Sequence, residues 1–521
     1  MRDIMKKYLM KVKWWILASM VAFFVETIIT SIILYLPGYL IDNFKNNESI
    51  YQSIFVYLAV FVFYLVTCYS SNRIADYRRI VFEKAIKSDL FSSVMNRSYN
   101  EFQQYNIGEY ISMQSNDVTE ICQNYLSPFV SIFRSVIMIV IFGVVLVLTV
   151  DVSIAIAIIC LSVLTVFIPQ ITAKELSKRN HAHLEQVGKY TTKVTEYYGM
   201  HTILDNKSRP TVINVHAKEL DEVFDRNMFF RKLNSFSYVL NGGSVEFIAI
   251  VTFIMVGVLL INGSITVGSA TVAFMYSSRF TEPISELNLN ISRVKSVKKI
   301  QEKLNEILDF DYSANKQQLD SFEKIYFKNV KKQFDTCKIS LPNMVFEKGK
   351  KHLIIGDNGV GKSVSLKILM KFYQPDEGEV YFDKLGLNDI DINCLNAYVP
   401  QSSIVFDSSY YNNVTIYGTY VENLEFYESL FPIHIISKIK ASDSIMDLSG
   451  GEKQVVSLIR SLCMNKPVLL LDESFSAMNR NTIDIFMDNL EKIDRTIILI
   501  AHNFDNYFDK FSHVYCVKAE G

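Results

Sequence analysis

Six long apolar runs lie before Ile300, at about 14–40, 50–69, 128–150, 152–171, 236–261 and 269–291. Each is close to or above the roughly 20 residues that a helix needs to cross a bilayer. A segment in lipid must satisfy its own backbone, so these runs predict an all-α, six-helix transmembrane bundle. The runs are joined unevenly. Three connections are short, around 42–49, 149–151 and 262–266, and Lys45 is their only basic residue. Two are long and polar, 70–127 and 172–235, and both are rich in Lys and Arg. The N-terminal arm is basic too, with Arg2, Lys6, Lys7, Lys11 and Lys13 ahead of Trp14 and Trp15. That asymmetry puts both termini and both long loops in the cytoplasm of a multi-pass protein. Helical spacing persists through the long loops and predicts long cytoplasmic helix extensions. The first run is too long for a signal peptide and lacks a small-residue cleavage site. A soluble helical core does not account for six such runs with this charge pattern.

Composition supports this reading: half the residues are hydrophobic, with 36 Phe and 29 Tyr. Lys plus Arg is 53 against 54 for Asp plus Glu, so the overall charge gives no reason to expect nucleic acid as a partner. Seven scattered cysteines have no metal-site spacing and read as thiols in a reducing compartment. Ionisable residues inside the spans are costly, about 2.5–3.5 kcal/mol each on insertion scales. Glu26, Arg134 and Glu246 are therefore candidates for a polar translocation pathway, with structural pairing between helices as the alternative, and Arg279 lies nearer a helix end.

The sequence turns polar at 312–321, which reads as a linker between a membrane domain, 1–311, and a second domain, 322–521. Beyond it, strand-length apolar runs alternate with helical patterns, as in an α/β domain. Within that domain the apolar run His352-Leu353-Ile354-Ile355 leads into Gly356-Asp357-Asn358-Gly359-Val360-Gly361-Lys362-Ser363 and then into a helical pattern. Strand, glycine-rich turn and helix together predict a P-loop NTPase fold whose backbone N–H groups cradle phosphate. Lys362 is placed for the β- and γ-phosphates, and the Ser363 hydroxyl for Mg²⁺.

Further on, the aliphatic run Val468-Leu469-Leu470-Leu471 ends in Asp472-Glu473. A buried parallel strand delivers such carboxylates at its C-terminal edge, where ligands bind. Asp472 is placed to hold Mg²⁺ and Glu473 to orient or deprotonate the attacking water. Between these motifs lies Leu448-Ser449-Gly450-Gly451-Glu452-Lys453-Gln454, a capped helix start that can receive an anion. One nucleotide cannot easily use two such loops of a single domain. Ser449, Gly450 and Gly451 are therefore expected to meet the γ-phosphate held by another subunit.

With these motifs in place the chain resembles an ATP-binding cassette (ABC) transporter of the exporter half-transporter type, and the resemblance extends over essentially the whole sequence. It implies ATP and Mg²⁺ as ligands. It also implies that Gln401, in Tyr398-Val399-Pro400-Gln401, touches the metal, that His502 reaches the γ-phosphate, and that Phe334 stacks on adenine. Glu101-Phe102 with Gly108-Glu109-Tyr110 and Asn116-Asp117 resembles a first coupling-helix region, and 196–206 the position of a second. The sequence departs from the family at Asn479, where an aspartate is usual, and in 440–447, which lacks the usual glycine-and-glutamate pattern. The stretch from Gln401 to Leu448 is also short.

The resemblance implies ATP-driven efflux across a plasma membrane, with a second half-transporter as partner, a homodimer in preference to a heterodimer, and a bilayer around it. A small or modified peptide is the favoured substrate, with a lipid or a drug as alternatives, and an importer on the same fold remains open. A soluble cassette ATPase and a non-transporting receptor or channel are the rival classes. The Lys-, Asn- and Ile-rich composition points to a bacterium.

Overall fold

The computed structural model describes residues 4–43, 47–150, 152–165, 167–309, 319, 321–334, 337–502 and 504–518. The chain forms two compact units. One is Met1–Met95 with Ile107–Phe310, and the other is Asn96–Asn106 with Asp311–Gly521. The expected linker, 312–321, lies outside the described residues except for Leu319 and Ser321.

The first unit is helical. Its helices are α1 (Ile4–Lys11), α2 (Lys13–Asn43), α3 (Asn47–Met95), α4 (Ile107–Thr149), α5 (Val152–Thr165), α6 (Ile168–Gly199), α7 (Arg209–Ile261), α8 (Val267–Ser296) and α9 (Lys298–Leu308). Among the described residues, α2, α4, α7 and the Tyr51–Met95 part of α3 are long and apolar enough to cross a membrane. The expected span 269–291 lies in α8, which carries Ser277, Arg279, Thr281, Glu282 and Glu286 and is less apolar than the others. The expected single span 152–171 is split into α5 and α6. Pro169 lies in the first turn of α6, where its missing N–H costs no helical hydrogen bond.

The second long polar connection, 172–235, is helical over most of its length. α7 runs without a break from Arg209 to Ile261, and it packs along α6 through the Tyr190–His216 hydrogen bond of 2.8 Å and the Gln186–Glu222 bond of 3.1 Å. The expected second coupling region is a short 3-10 turn, Met200–Ile203. A buried apolar cluster of this unit joins α4, α5 and α8, with Leu34 of α2 and Val256 of α7, and sets Phe142 edge-on to Tyr276 at 5.3 Å. Gly38 and Gly268 let α2 and α8 touch backbone to backbone: a Cβ on Gly38 would lie 2.4 Å from the Gly268 carbonyl oxygen.

Of the candidate pathway charges, Glu26 and Arg134 form an ion pair of 3.0 Å between α2 and α4. Glu26 is buried, and its Oε2 has no hydrogen-bond partner among the described residues. Arg134 also lies over the Phe23 ring at 5.3 Å. Glu246 is exposed on α7, with no ion pair to either among the described residues, and Arg279 pairs with Glu282 on its own helix at 3.4 Å.

The second unit carries two sheets. The strands are β1 (Lys324–Gln333), β2 (Lys338–Ser340), β3 (Met344–Glu347), β4 (Lys351–Ile355), β5 (Glu377–Phe382), β6 (Leu385–Gly386), β7 (Asn396–Val399), β8 (Val468–Asp472), β9 (Thr496–Ile500) and β10 (His513–Cys516). An antiparallel sheet has the order β2-β1-β5-β6, with β3 also on β1. A parallel sheet has the order β10-β4-β9-β8-β7. Every residue of β8 and β9 is buried, as a parallel strand covered on both faces must be. The apolar residues of β4, β8 and β9 alternate between two clusters, one centred on Leu353, Leu471 and Leu499 and the other on Ile354, Leu470 and Ile498.

Candidate nucleotide site

The C-terminal edge of the parallel sheet collects the site. β4 feeds the glycine-rich turn, which feeds α10 (Lys362–Leu369). Gly356, Gly359 and Gly361 have φ of 150°, 82° and 96°. At Gly361 the requirement is also steric, because a Cβ would lie 2.4 Å from Ile339. Asn358 and Gly359 are exposed, and Val360 packs onto the core beneath. Lys362 is buried and donates from Nζ to the carbonyls of Gly356 and Asp357, both at 2.8 Å. Burial pulls its ammonium below the usual lysine range, and the nearby charges of Glu473, Asp357 and Asp472 oppose that pull.

β8 ends on Asp472, whose two oxygens take different donors. Ser363 Oγ donates to Oδ1 at 2.6 Å, and Tyr398 Oη donates to Oδ2 at 2.9 Å. Burial and the Asp472 charge push the Tyr398 hydroxyl well above its usual range, so it stays a donor. Ser363 and Asp472 present hard oxygens side by side, the donor chemistry a magnesium ion takes.

Glu473 follows in the left-handed region, at φ 48°, with its N–H on the Ile500 carbonyl at 3.0 Å. A non-glycine residue held there costs about 1–3 kcal/mol, and such strain gathers at functional sites. Its carboxylate is gripped from two sides: Gln401 Nε2 donates to Oε2 at 2.7 Å, and His502 Nε2 lies 2.9 Å from Oε1. A cleft of about 340 Å³ opens beside Glu473 and His502 and is lined also by Ser476, Met478, Arg480 and Tyr507.

Phe334 follows β1 and meets Tyr373 edge-on, with ring centroids 5.4 Å apart. Ser449 caps α11 (Gly450–Cys463) in a reciprocal box with Glu452, whose Oε2 accepts from Ser449 N at 2.9 Å and from Ser449 Oγ at 2.7 Å. Lys438, 2.6 Å away, holds the Glu452 carboxyl below its usual range, helped by the Ser449 bonds. Among the described residues no hydrogen bond links Ser449, Gly450 or Gly451 to the phosphate loop. Instead Gly451 abuts the segment after Glu473: a Cβ there would lie 2.6 Å from the Ala477 carbonyl oxygen. Gln454 ties the same segment down, accepting from Ala477 N at 3.0 Å and donating to Ser476 Oγ at 3.1 Å.

The departure at Asn479 has a local use. Its Oδ1 accepts from Thr482 N at 2.8 Å and Thr482 Oγ1 at 2.7 Å, capping α12 (Arg480–Asp488) as an aspartate would. Tyr398 and Gln454 were not picked out by sequence reasoning. Both are polar side chains beside recognised motifs, and the strand order that places β7 next to β8 is what reveals Tyr398.

A glycine-rich strand-to-helix loop, paired hard oxygens and a held carboxylate define a P-loop nucleotide-binding domain, here following a helical membrane region. Residues 14–284 match the family described as ABC transporter transmembrane region, and residues 340–476 match that described as ABC transporter. The chain belongs to the ABC transporter family; it is a membrane protein, and its C-terminal unit is an ATP-binding cassette. It is 26% identical to the transport/processing ATP-binding protein ComA of Streptococcus pneumoniae, over 48% of this chain and 37% of that protein. Identity to the mesentericin-Y105 transport/processing ATP-binding protein MesD of Leuconostoc mesenteroides is 23%, over 90% of this chain and 68% of that one. Identity to the ATP-dependent permease MDL1 of Candida albicans is 27%, over 60% and 49%. The chain thus covers less than two thirds of the length of ComA and of MDL1.

Proposed function

We propose that this chain is one half of a dimeric ATP-driven exporter, with a membrane domain at 1–311, a linker at 312–321 and a cassette at 322–521. One observation carries the reading: Ser363 with Asp472, and Gln401 with His502 on Glu473, converge at one sheet edge. In this proposal Gly356, Asp357, Asn358, Gly359, Val360, Gly361 and Lys362 hold the phosphates, and Phe334 stacks on the base. Ser363, Asp472 and Gln401 hold Mg²⁺, which when bound neutralises charge on the β- and γ-phosphoryl oxygens. Glu473 orients and deprotonates water, and His502 fixes the Glu473 carboxylate. Ser449, Gly450 and Gly451 serve the nucleotide of a second copy, so two chains are needed for a complete site. Cytoplasmic placement of both termini fits the distribution of basic residues, and a homodimer in a plasma membrane is the assembly we favour. Likeness to ComA and MesD, named as transport/processing proteins, supports efflux and favours a peptide substrate over a lipid or drug. Glu26 and Arg134 stand as pathway residues, and Glu246 remains a separate candidate.

The test is Glu473→Gln in the reconstituted full chain. ATP should bind as in the wild type, while phosphate release falls by about a hundredfold or more, the scale of a lost general base. Wild-type turnover in that variant would overturn the assignment.

A further inference from the structure

The hydroxyl of Tyr398 occupies the second oxygen of Asp472, the one that Ser363 leaves free. A carboxylate bonded through one oxygen can still swing about its own axis. A donor on the other oxygen stops the swing and fixes where the first oxygen points, which is how residues behind a metal ligand tune affinity.

Tyr398 is held in turn by rings. Phe372 meets it edge-on at 5.6 Å and 86°. Phe372 also carries Tyr99, stacked at 3.8 Å and 29°. Phe372 has little freedom: its N–H is on the Lys367 carbonyl at 2.7 Å, and the preceding Lys371 has φ 55° and anchors Nζ to the Ile390 carbonyl at 2.6 Å. Tyr99 opens the short helix Tyr99–Phe102, whose start is closed by Ser98 and Glu101. That helix belongs to Asn96–Asn106, which is part of the cassette unit yet follows α3 directly in the chain and precedes α4.

We propose that Tyr398 is a positioning residue for the metal-binding carboxylate of Asp472, and that Tyr99 and Phe372 form the arm through which residues 96–106 set its hydroxyl. The inference rests on the reading of Ser363 and Asp472 as metal ligands. Contact between rings is not by itself coupling, so the test must measure dependence between the two ends.

The full-length protein in lipid nanodiscs is titrated with Mn²⁺ in the presence of a non-hydrolysable ATP analogue, and bound metal is read by electron paramagnetic resonance. Tyr398→Phe keeps the ring and removes the hydroxyl. It should weaken Mn²⁺ binding about tenfold and raise the Mg²⁺ needed for half-maximal ATPase, with kcat at saturating Mg²⁺ little changed. Tyr99→Ala should weaken Mn²⁺ binding in the wild-type background and have no further effect in Tyr398→Phe, whereas Tyr99→Phe should bind as the wild type. If Tyr99→Ala does not assemble, Phe372→Leu takes its place in the same cycle. Unchanged Mn²⁺ affinity in Tyr398→Phe overturns the positioning role, and equal effects of the Tyr99 change in both backgrounds overturn the arm. Asp472→Asn is the separate check on the underlying reading: if it leaves Mn²⁺ binding intact, the metal site itself is misassigned.

Discussion

His502 and Glu473 are joined at 2.9 Å, and they are joined on the oxygen that Gln401 does not use. Two side chains from different loops therefore fix one strained carboxylate. Removing either leaves it half-held. His502→Ala and Gln401→Ala should each lower kcat, about tenfold to a hundredfold on the scale of positioned acid–base groups. The double variant should lose clearly less than the product of the two, because groups acting as a unit are not additive. Steady-state phosphate release measures this, and full multiplicativity would contradict the shared-carboxylate reading.

Gly450 and Gly451 give a purely steric prediction. A Cβ at Gly450 meets the Ala477 side chain at 3.4 Å, an ordinary contact, while at Gly451 it meets the Ala477 carbonyl at 2.6 Å. Gly451→Ala should lower the cassette's stability by about 1–3 kcal/mol, as overpacking does. Gly450→Ala should stay close to the wild type. Thermal unfolding of the two variants side by side is the measurement.

The Glu26–Arg134 pair predicts an asymmetry of a different sort. Breaking a buried pair by removing one member costs about 3–5 kcal/mol, and less where a partner is partly wet. Arg134 is 34% exposed, so Arg134→Met should cost about 2 kcal/mol. Glu26→Gln added to it should recover part of the loss, because no charge is then stranded. Melting in detergent of the single and double variants tests the pair.

Acid should loosen the cassette through His352. Burial, opposed by its hydrogen bond to Glu347, pulls its imidazole down from 6.5 to about 4, with His513 and Lys351 adding to the fall. Between those values the unfolded chain takes a proton that the folded chain refuses. Stability contributed by this group is complete above pH 6.5 and is lost as pH falls toward 4, by on the order of 3 kcal/mol. His352→Gln should flatten that part of the pH profile, read from unfolding midpoints of the full chain between pH 7 and pH 5.

Much of this site could be read in the sequence because its signals are local. A glycine-rich turn between a strand and a helix places Lys362 and Ser363 without knowledge of the rest, and an aliphatic strand ending in two acids does the same for Asp472 and Glu473. Tyr398 was invisible for the converse reason. Its partner is 74 residues away and becomes a neighbour only through the strand order β8-β7. Hydropathy joins 152–171 into one span because it counts apolar side chains and ignores the missing N–H of Pro169. At Asn479 the sequence registered a departure from a family pattern, where the backbone wanted only an oxygen to close a helix. Hydropathy and periodicity do not set residues 96–106 apart, since both flanks are helices of the other unit; only the family resemblance at Glu101-Phe102 marks them.

That last assignment bears on how the C-terminal half can be handled alone. Phe372 stacks on Tyr99, and Tyr99 is encoded more than two hundred residues upstream. A fragment cut at the start of the cassette would lose that stacked pair, and a drift in its metal affinity would reflect the missing ring rather than the cassette itself.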